Sequence, residues 1–202
     1  MQVELPEAFT DATVRIETGC RTDDDAFWDF CVANPDLRIE REPNGDIVIM
    51  PPTGFGTGNR NNNIAVQLGV WAERDGRGEA VDSSTEYYLP NGAARSPDAS
   101  WVLRSRLTAF TRDEKEKFLH LCPDFVVELM SPSDRLPKAK ARMQEWVDNG
   151  AQLAWLIHPK KRTVYVYRPG REPEESVNVE SVAGEGPVAG FVLDLRKIWE
   201  GL

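Results

Sequence analysis

Apolar and polar positions along the chain predict a mixture of short strands and a few amphipathic helices. The longest compact apolar run is Phe125 to Met130, and it holds one carboxylate, Glu128. Alternation puts Phe125, Val127 and Leu129 on one face and Val126, Glu128 and Met130 on the other. Both faces are therefore apolar, as expected of a central strand covered on both sides. A glutamate in such a strand is costly unless something pairs with it. The rest of the chain is read around the search for that partner.

Before this run, Asp23, Asp24 and Asp25 begin a predicted helix through Ala26 to Cys31, with acidic residues suited to its positive end. Asn34-Pro35-Asp36 stops it. Leu37 to Glu42 and Asp46 to Met50 flank Pro43-Asn44-Gly45 and predict a hairpin. Thr53 to Gly58 reads as a glycine-rich loop; it lacks the lysine and hydroxyl of a nucleotide-phosphate loop. A helix over about 59–73 carries the apolar stripe Ile64, Leu68, Trp71, Ala72. Short strands are expected at Glu79 to Val81, Thr85 to Leu89, Ala93 to Ser96 and Ala99 to Leu103, and a solvated helix over Thr111 to Leu119.

After the central strand, Ser131-Pro132-Ser133-Asp134 has the chemistry of a helix N-cap. The helix it opens, reaching about Asn149, has Pro137 in its first turn and Gly150 as its stop. Its stripe is Ala139, Met143, Trp146 and Val147. Gln152 to His158 and Thr163 to Arg168 predict a second hairpin, Ser176 to Val182 a further strand, and Phe191 to Trp199 a tail docked on the body. Hairpins interleaved with helices predict a mixed α/β (α+β) domain, a mixed central sheet flanked by helices with an N-terminal hairpin. One domain over 1–202 is expected, with its core at about 37–199 and a helical extension at 1–36.

Composition narrows the function classes. A net charge of −9 argues against a broad basic nucleic-acid surface but leaves room for a local one. The local candidates are Arg60, Arg104 with Arg106, and Lys160-Lys161-Arg162. No apolar run approaches a membrane span, and the N-terminus has no signal-like core. A soluble cytoplasmic protein without a membrane partner is the expectation. Cys20, Cys31 and Cys122 lack metal-type spacing and read as buried thiols. The six tryptophans exceed what one core obviously needs, and some are expected to line a face of a symmetric homodimer.

Three acids carry the candidate chemistry. Asp98 follows a proline at the mouth of a strand, Glu128 lies within the central one, and Glu40 lies in the first hairpin with Glu42 on the same face. Converging carboxylates suit a hard divalent cation such as Mg2+ or Mn2+. At about 100° per residue, Arg142 lies on one edge of its helix stripe with Lys138 one turn before it, and Lys140 on the opposite edge. Two carboxylates, a metal and a cation describe a phosphodiester-cleaving site. An alternative stays open at each position: a turn acid at Asp98, a solvated hairpin face at Glu40 and Glu42, a structural ion pair with an arginine at Glu128, and plain helix surface at Lys138 and Arg142.

Taken in order, Ser96-Pro97-Asp98, then Pro123 to Asp134 with Glu128, then Met143 to Trp146 with Asn149-Gly150, then Trp155 to Pro159, resemble the Uma-type restriction endonucleases of the PD-(D/E)XK superfamily. The resemblance spans about 37–199. It implies a restriction-endonuclease-like core and a magnesium-dependent endonuclease acting on DNA. Asp98 and Glu128 match the metal-binding acids, and Glu40 an auxiliary one. The superfamily's lysine two residues beyond the glutamate is replaced by Met130. The lysine that the similar family carries four residues before an aromatic is here Arg142, before Trp146. Arginine retains phosphate stabilisation but does not act as a base; Lys138 is the other candidate. Asn61 stands where a histidine is common, and His158 where an acid or amide is. The rival expectation is a nuclease-fold protein without turnover, serving in nucleic-acid binding or assembly.

Overall fold

The computed structural model describes residues 13–19 and 21–200. In chain order the elements are β1 (Val14–Ile16), α1 (Asp24–Val32), β2 (Arg38–Arg41), β3 (Ile47–Met50), α2 (Phe55–Asp75) and β4 (Gly78–Asp82). Next come β5 (Tyr87–Tyr88), β6 (Ala94–Arg95), β7 (Ala99–Leu103), α3 (Arg104–Leu107), β8 (Phe125–Leu129) and α4 (Leu136–Asp148). The chain closes with β9 (Leu153–His158), β10 (Thr163–Tyr167), β11 (Glu174–Val177), β12 (Ser181–Ala183), β13 (Val192–Asp194) and α5 (Arg196–Glu200). They fall into two compact units. Among the described residues, the first takes its residues from within 1–53, 86–96 and 111–121, the second from within 54–85, 97–110 and 122–202.

In the first unit, α1 starts where the sequence predicts it. The Asp23 side chain caps the helix by accepting from the Ala26 N–H at 2.7 Å. The hairpin β2–β3 also forms, in a five-stranded sheet of order β1-β3-β2-β6-β5. Phe27, Ile39, Ile47, Ile49, Tyr88 and Ala94 make the core of this unit. Arg41 is buried beside them. Its guanidinium donates to the carbonyls of Gly92 and Thr22, pairs with Asp24 at 2.5 Å, and lies over the rings of Phe27 and Tyr88. A charge so deep is tolerable because hydrogen bonds and a carboxylate replace its water.

The second unit holds a six-stranded mixed sheet of order β11-β10-β9-β8-β7-β4. β8 is central, antiparallel to β7 and parallel to β9. Its Phe125, Val127 and Leu129 join Ile64, Leu68 and Ala72 of α2 in one core. The other face of β8 turns to α4, whose Met143, Trp146 and Val147 are buried. Trp155 stacks on Phe191 at 5.8 Å and meets Phe125 edge-on at 4.8 Å, which docks the tail as expected.

Four expectations change. The glycine-rich stretch is not a loop: α2 begins at Phe55 and runs without a break to a left-handed Gly76. Once α2 is nucleated, adding residues costs little, and Arg60 pins its head by donating to the Ile198 carbonyl at 2.8 Å. The helix over Thr111 to Leu119 reduces to a single 3-10 turn, Glu114–Glu116. That segment has no apolar stripe to bury, and Leu119 instead bridges to Tyr87. Asp134 does not cap α4; it accepts from the Ser131 N–H at 2.6 Å, and Arg135 takes the cap position. The strand expected over Ser176 to Val182 splits into β11 and β12 around Asn178, whose φ is 55°.

None of the six tryptophans is exposed. Trp101, Trp146 and Trp155 are fully buried and Trp28, Trp71 and Trp199 half-buried. Cys31 and Cys122 are free thiols, while Cys20 lies outside the described residues. Among the described residues no helix is long and apolar enough to cross a membrane.

Candidate active site

Register sets the two principal acids at the same end of one strand pair. β7 and β8 pair as Ala99↔Val127, Ser100↔Val126 and Trp101↔Phe125. Asp98 lies one residue before this paired stretch and Glu128 one residue after it. A backbone contact locks that end: the Leu129 N–H donates to Asp98 Oδ2 at 2.7 Å. Asp98 is only 8% exposed. Its other oxygen, Oδ1, accepts from Asn61 Nδ2 on α2 at 2.8 Å. The aspartate is thus held from the strand on one side and from the helix on the other.

Glu128 is held from α4. Its Oε1 accepts from Arg142 Nε at 2.7 Å and from the Trp146 indole N–H at 2.9 Å. Residues four apart lie above one another on a helix, so one oxygen can take both donors. This pairing answers the question the sequence posed. Among its apolar neighbours, a guanidinium and an indole N–H take the place of water around the carboxylate. Lys138 lies one turn before Arg142, exposed, and joins no ion pair among the described residues.

Glu40 has a different setting, in the first unit. It is 2% exposed, accepts from the Ser96 N–H at 3.1 Å and pairs with Arg95 at 3.5 Å. Glu42 meets the same arginine at 2.5 Å. These two acids therefore form a buried and part-buried ion network around Arg95 and not the solvated hairpin face that one reading of the sequence allows.

Two partners were not read from the sequence. The helix pattern assigns Trp146 to the apolar stripe, yet its buried indole N–H needs an acceptor, and it lies four residues beyond Arg142. Asn61 stands in the sequence only where a histidine is common; its contact with Asp98 joins residues 37 apart and has no local signal.

A hard cation fits the donor set here. Asp98 and Glu128 offer carboxylate oxygens, and Asn61 Oδ1 is buried without a hydrogen-bond partner. Among the described residues no group of three or more His, Cys, Asp or Glu is arranged as metal ligands, so amide and water oxygens would have to complete the shell.

The Uma2 family profile, described as "Putative restriction endonuclease", matches residues 24–196. The chain belongs to the Uma2 family. No curated protein matches it. Among solved structures, a putative nuclease belonging to DUF820 from Anabaena variabilis ATCC 29413 is similar in fold, with a TM-score of 0.68 and 19% identity. The match covers 82% of this chain and 91% of that one. At that identity the likeness concerns architecture: a mixed sheet flanked by helices, the restriction-endonuclease-like core expected of a Uma2 member. Within the Uma2 match lie Asp98, Glu128, Arg142, Lys138 and Glu40.

Proposed function

We propose that the protein is a divalent-metal-dependent endonuclease that hydrolyses DNA phosphodiester bonds, with Asp98 and Glu128 as its metal-binding pair. The observation that carries this reading is the lock between the two strands: the Leu129 N–H on Asp98, one residue from Glu128. It holds the Asp98 carboxylate against the strand segment that carries Glu128, which supports a preorganised, charge-stabilising site. Mg2+ or Mn2+, when bound by Asp98 and Glu128 with Asn61 Oδ1 as a candidate neutral donor, would lower the pKa of water and offset charge on the phosphate.

The chain's own residues divide the remaining work. Asn61 and the Leu129 N–H orient Asp98. Arg142 and Trp146 orient Glu128, and the guanidinium adds positive charge beside the acids. Lys138, exposed on the same helix side and in no ion pair among the described residues, supplies the charge that approaches the phosphate. Glu40, expected as an auxiliary acid, is engaged by Ser96 and Arg95, and its part in this reading is to hold the segment that leads into Asp98.

The test is nicking of supercoiled plasmid in Mg2+ and in Mn2+. Wild-type protein cuts, and Asp98→Ala and Glu128→Ala do not. An intact plasmid in both metals sinks the proposal.

A second reading is favoured by one observation, the 2.7 Å Arg142–Glu128 pair. If that pair serves only to neutralise a buried acid, the protein is a nuclease fold without turnover that binds nucleic acid. Salt-sensitive DNA binding without cutting in either metal identifies that case.

A further inference from the structure

Many cations in this acidic chain are paired with carboxylates. Arg104 pairs with Glu79 and Arg106 with Asp124, Lys140 meets Glu175, and Arg196 is bound by Asp194. Four are not. Lys160, Lys161, Arg162 and Lys197 are exposed and join no ion pair among the described residues. Three consecutive cations without a carboxylate partner repel one another, and a bound polyanion offsets that repulsion even in a chain of net charge −9.

Their presentation is rigid. Pro159–Lys161 forms a 3-10 turn, and His158 Nδ1 accepts from the Lys161 N–H at 3.4 Å. Burial, with Lys161 beside it, lowers the His158 pKa, so the ring stays neutral and able to accept. Arg162 closes the turn in the left-handed region at φ 49°, and its carbonyl accepts from the Asn178 N–H at 2.8 Å. α5 packs against this turn and carries Lys197. Arg60 then ties α5 to the head of α2, next to Asn61 and so to Asp98.

The topology sets the patch at the catalytic edge of the sheet. β8 and β9 run parallel with Glu128 beside Leu156, so both strands end on one side. Pro159 is three residues past Leu156, about 10 Å at a strand rise near 3.3 Å per residue. That is about three base-pair rises of a duplex.

We infer that Lys160, Lys161, Arg162 and Lys197 form the track for the DNA phosphate backbone beside the acids. The inference rests on the nuclease reading and names the surface its substrate uses. Such contacts position a duplex without reading its sequence, so the track implies affinity with little base preference.

The experiment measures binding of a fluorescein-labelled mixed-sequence duplex, with Ca2+ replacing Mg2+, against salt concentration. The track variant is Lys160→Gln, Lys161→Gln, Arg162→Asn and Lys197→Gln, asparagine being tolerant of the left-handed backbone. The control is Arg74→Gln with Arg171→Gln, exposed cations at the far ends of α2 and β10. The expected result is a salt slope smaller by about 3 to 4 in the track variant, with affinity weakened roughly tenfold or more, and little change in the control. Unchanged slope and affinity in the track variant, while wild-type protein binds and nicks DNA, overturns the track and leaves the nuclease reading standing. Wild-type protein that neither binds nor nicks overturns both.

Discussion

Arg142 and Glu128 meet at 2.7 Å, Nε to Oε1, with Trp146 donating to the same oxygen at 2.9 Å. A central-strand acid is therefore neutralised from the one helix that covers its face. Arg142 holds the acid, and its positive charge is retained, but a guanidinium does not accept a proton from water. Replacing it with lysine is expected to raise metal-dependent nicking, by roughly tenfold or more if the new amine serves as a general base. Plasmid nicking rates of Arg142→Lys against wild type decide this. An Arg142→Met and Glu128→Gln double-mutant cycle should give a coupling of about 1 to 3 kcal/mol in chemical denaturation.

Asp98 has a structural duty as well as a proposed catalytic one. Asp98→Ala leaves the buried Leu129 N–H without its acceptor, at a cost of about 1 to 3 kcal/mol. Asp98→Asn retains an oxygen for that N–H while removing the charge. The asparagine variant is expected to keep near-native stability and lose nicking. Urea midpoints and cleavage rates measured on both variants separate the two duties.

Glu40 is expected to matter for folding whether or not metal is present. Glu40→Ala leaves Ser96 N–H and part of Arg95 unsatisfied in a buried setting. The loss should be about 2 to 4 kcal/mol, and identical in EDTA and in Mg2+. A destabilisation that appears only when Mg2+ is added would instead point to Glu40 as a ligand.

Gly78 shows how tightly the second core is closed. A methyl group there would meet the Trp101 ring at 2.3 Å and the Val102 carbonyl at 2.4 Å. Gly78→Ala should cost about 1 to 3 kcal/mol by overpacking. Thermal unfolding checks it, with Gly69→Ala as the control, since no atom lies within 4 Å of that added carbon.

Alkaline pH should weaken the fold. Burial pushes the Cys122 thiol from an ordinary value of 9.0 up to about 12, and the Cys31 thiol likewise to about 12. The folded state favours the protonated thiols. Their contribution is complete below pH 9.0 and is lost as pH rises toward about 12. Urea midpoints should fall across that window, and less steeply in a Cys31→Ala, Cys122→Ala variant.

Local chemistry was legible wherever one segment decides its own fate. The Asp23 cap, the Pro43-Asn44-Gly45 turn and the two-sided apolar run of β8 each reflect constraints among near neighbours. The same logic failed for Thr53 to Gly58 and for Thr111 to Leu119. Glycines that look like a loop were drawn into α2 by its packing, while a segment of good helix formers had no apolar stripe to bury. Propensity is worth a few tenths of a kcal/mol per residue and yields to burial.

The amino-acid order alone determined the mixed α/β pattern, the acids at Asp98 and Glu128, and the demand that Glu128 have a partner. Only the tertiary structure decided who that partner is, that Asn61 reaches Asp98, and that Glu40 is engaged with Ser96 and Arg95. The reason is physical. Periodicity and capping act over a few residues, whereas a buried charge is satisfied by whichever donor the packed helices bring within about 3 Å, and that depends on strand order and register.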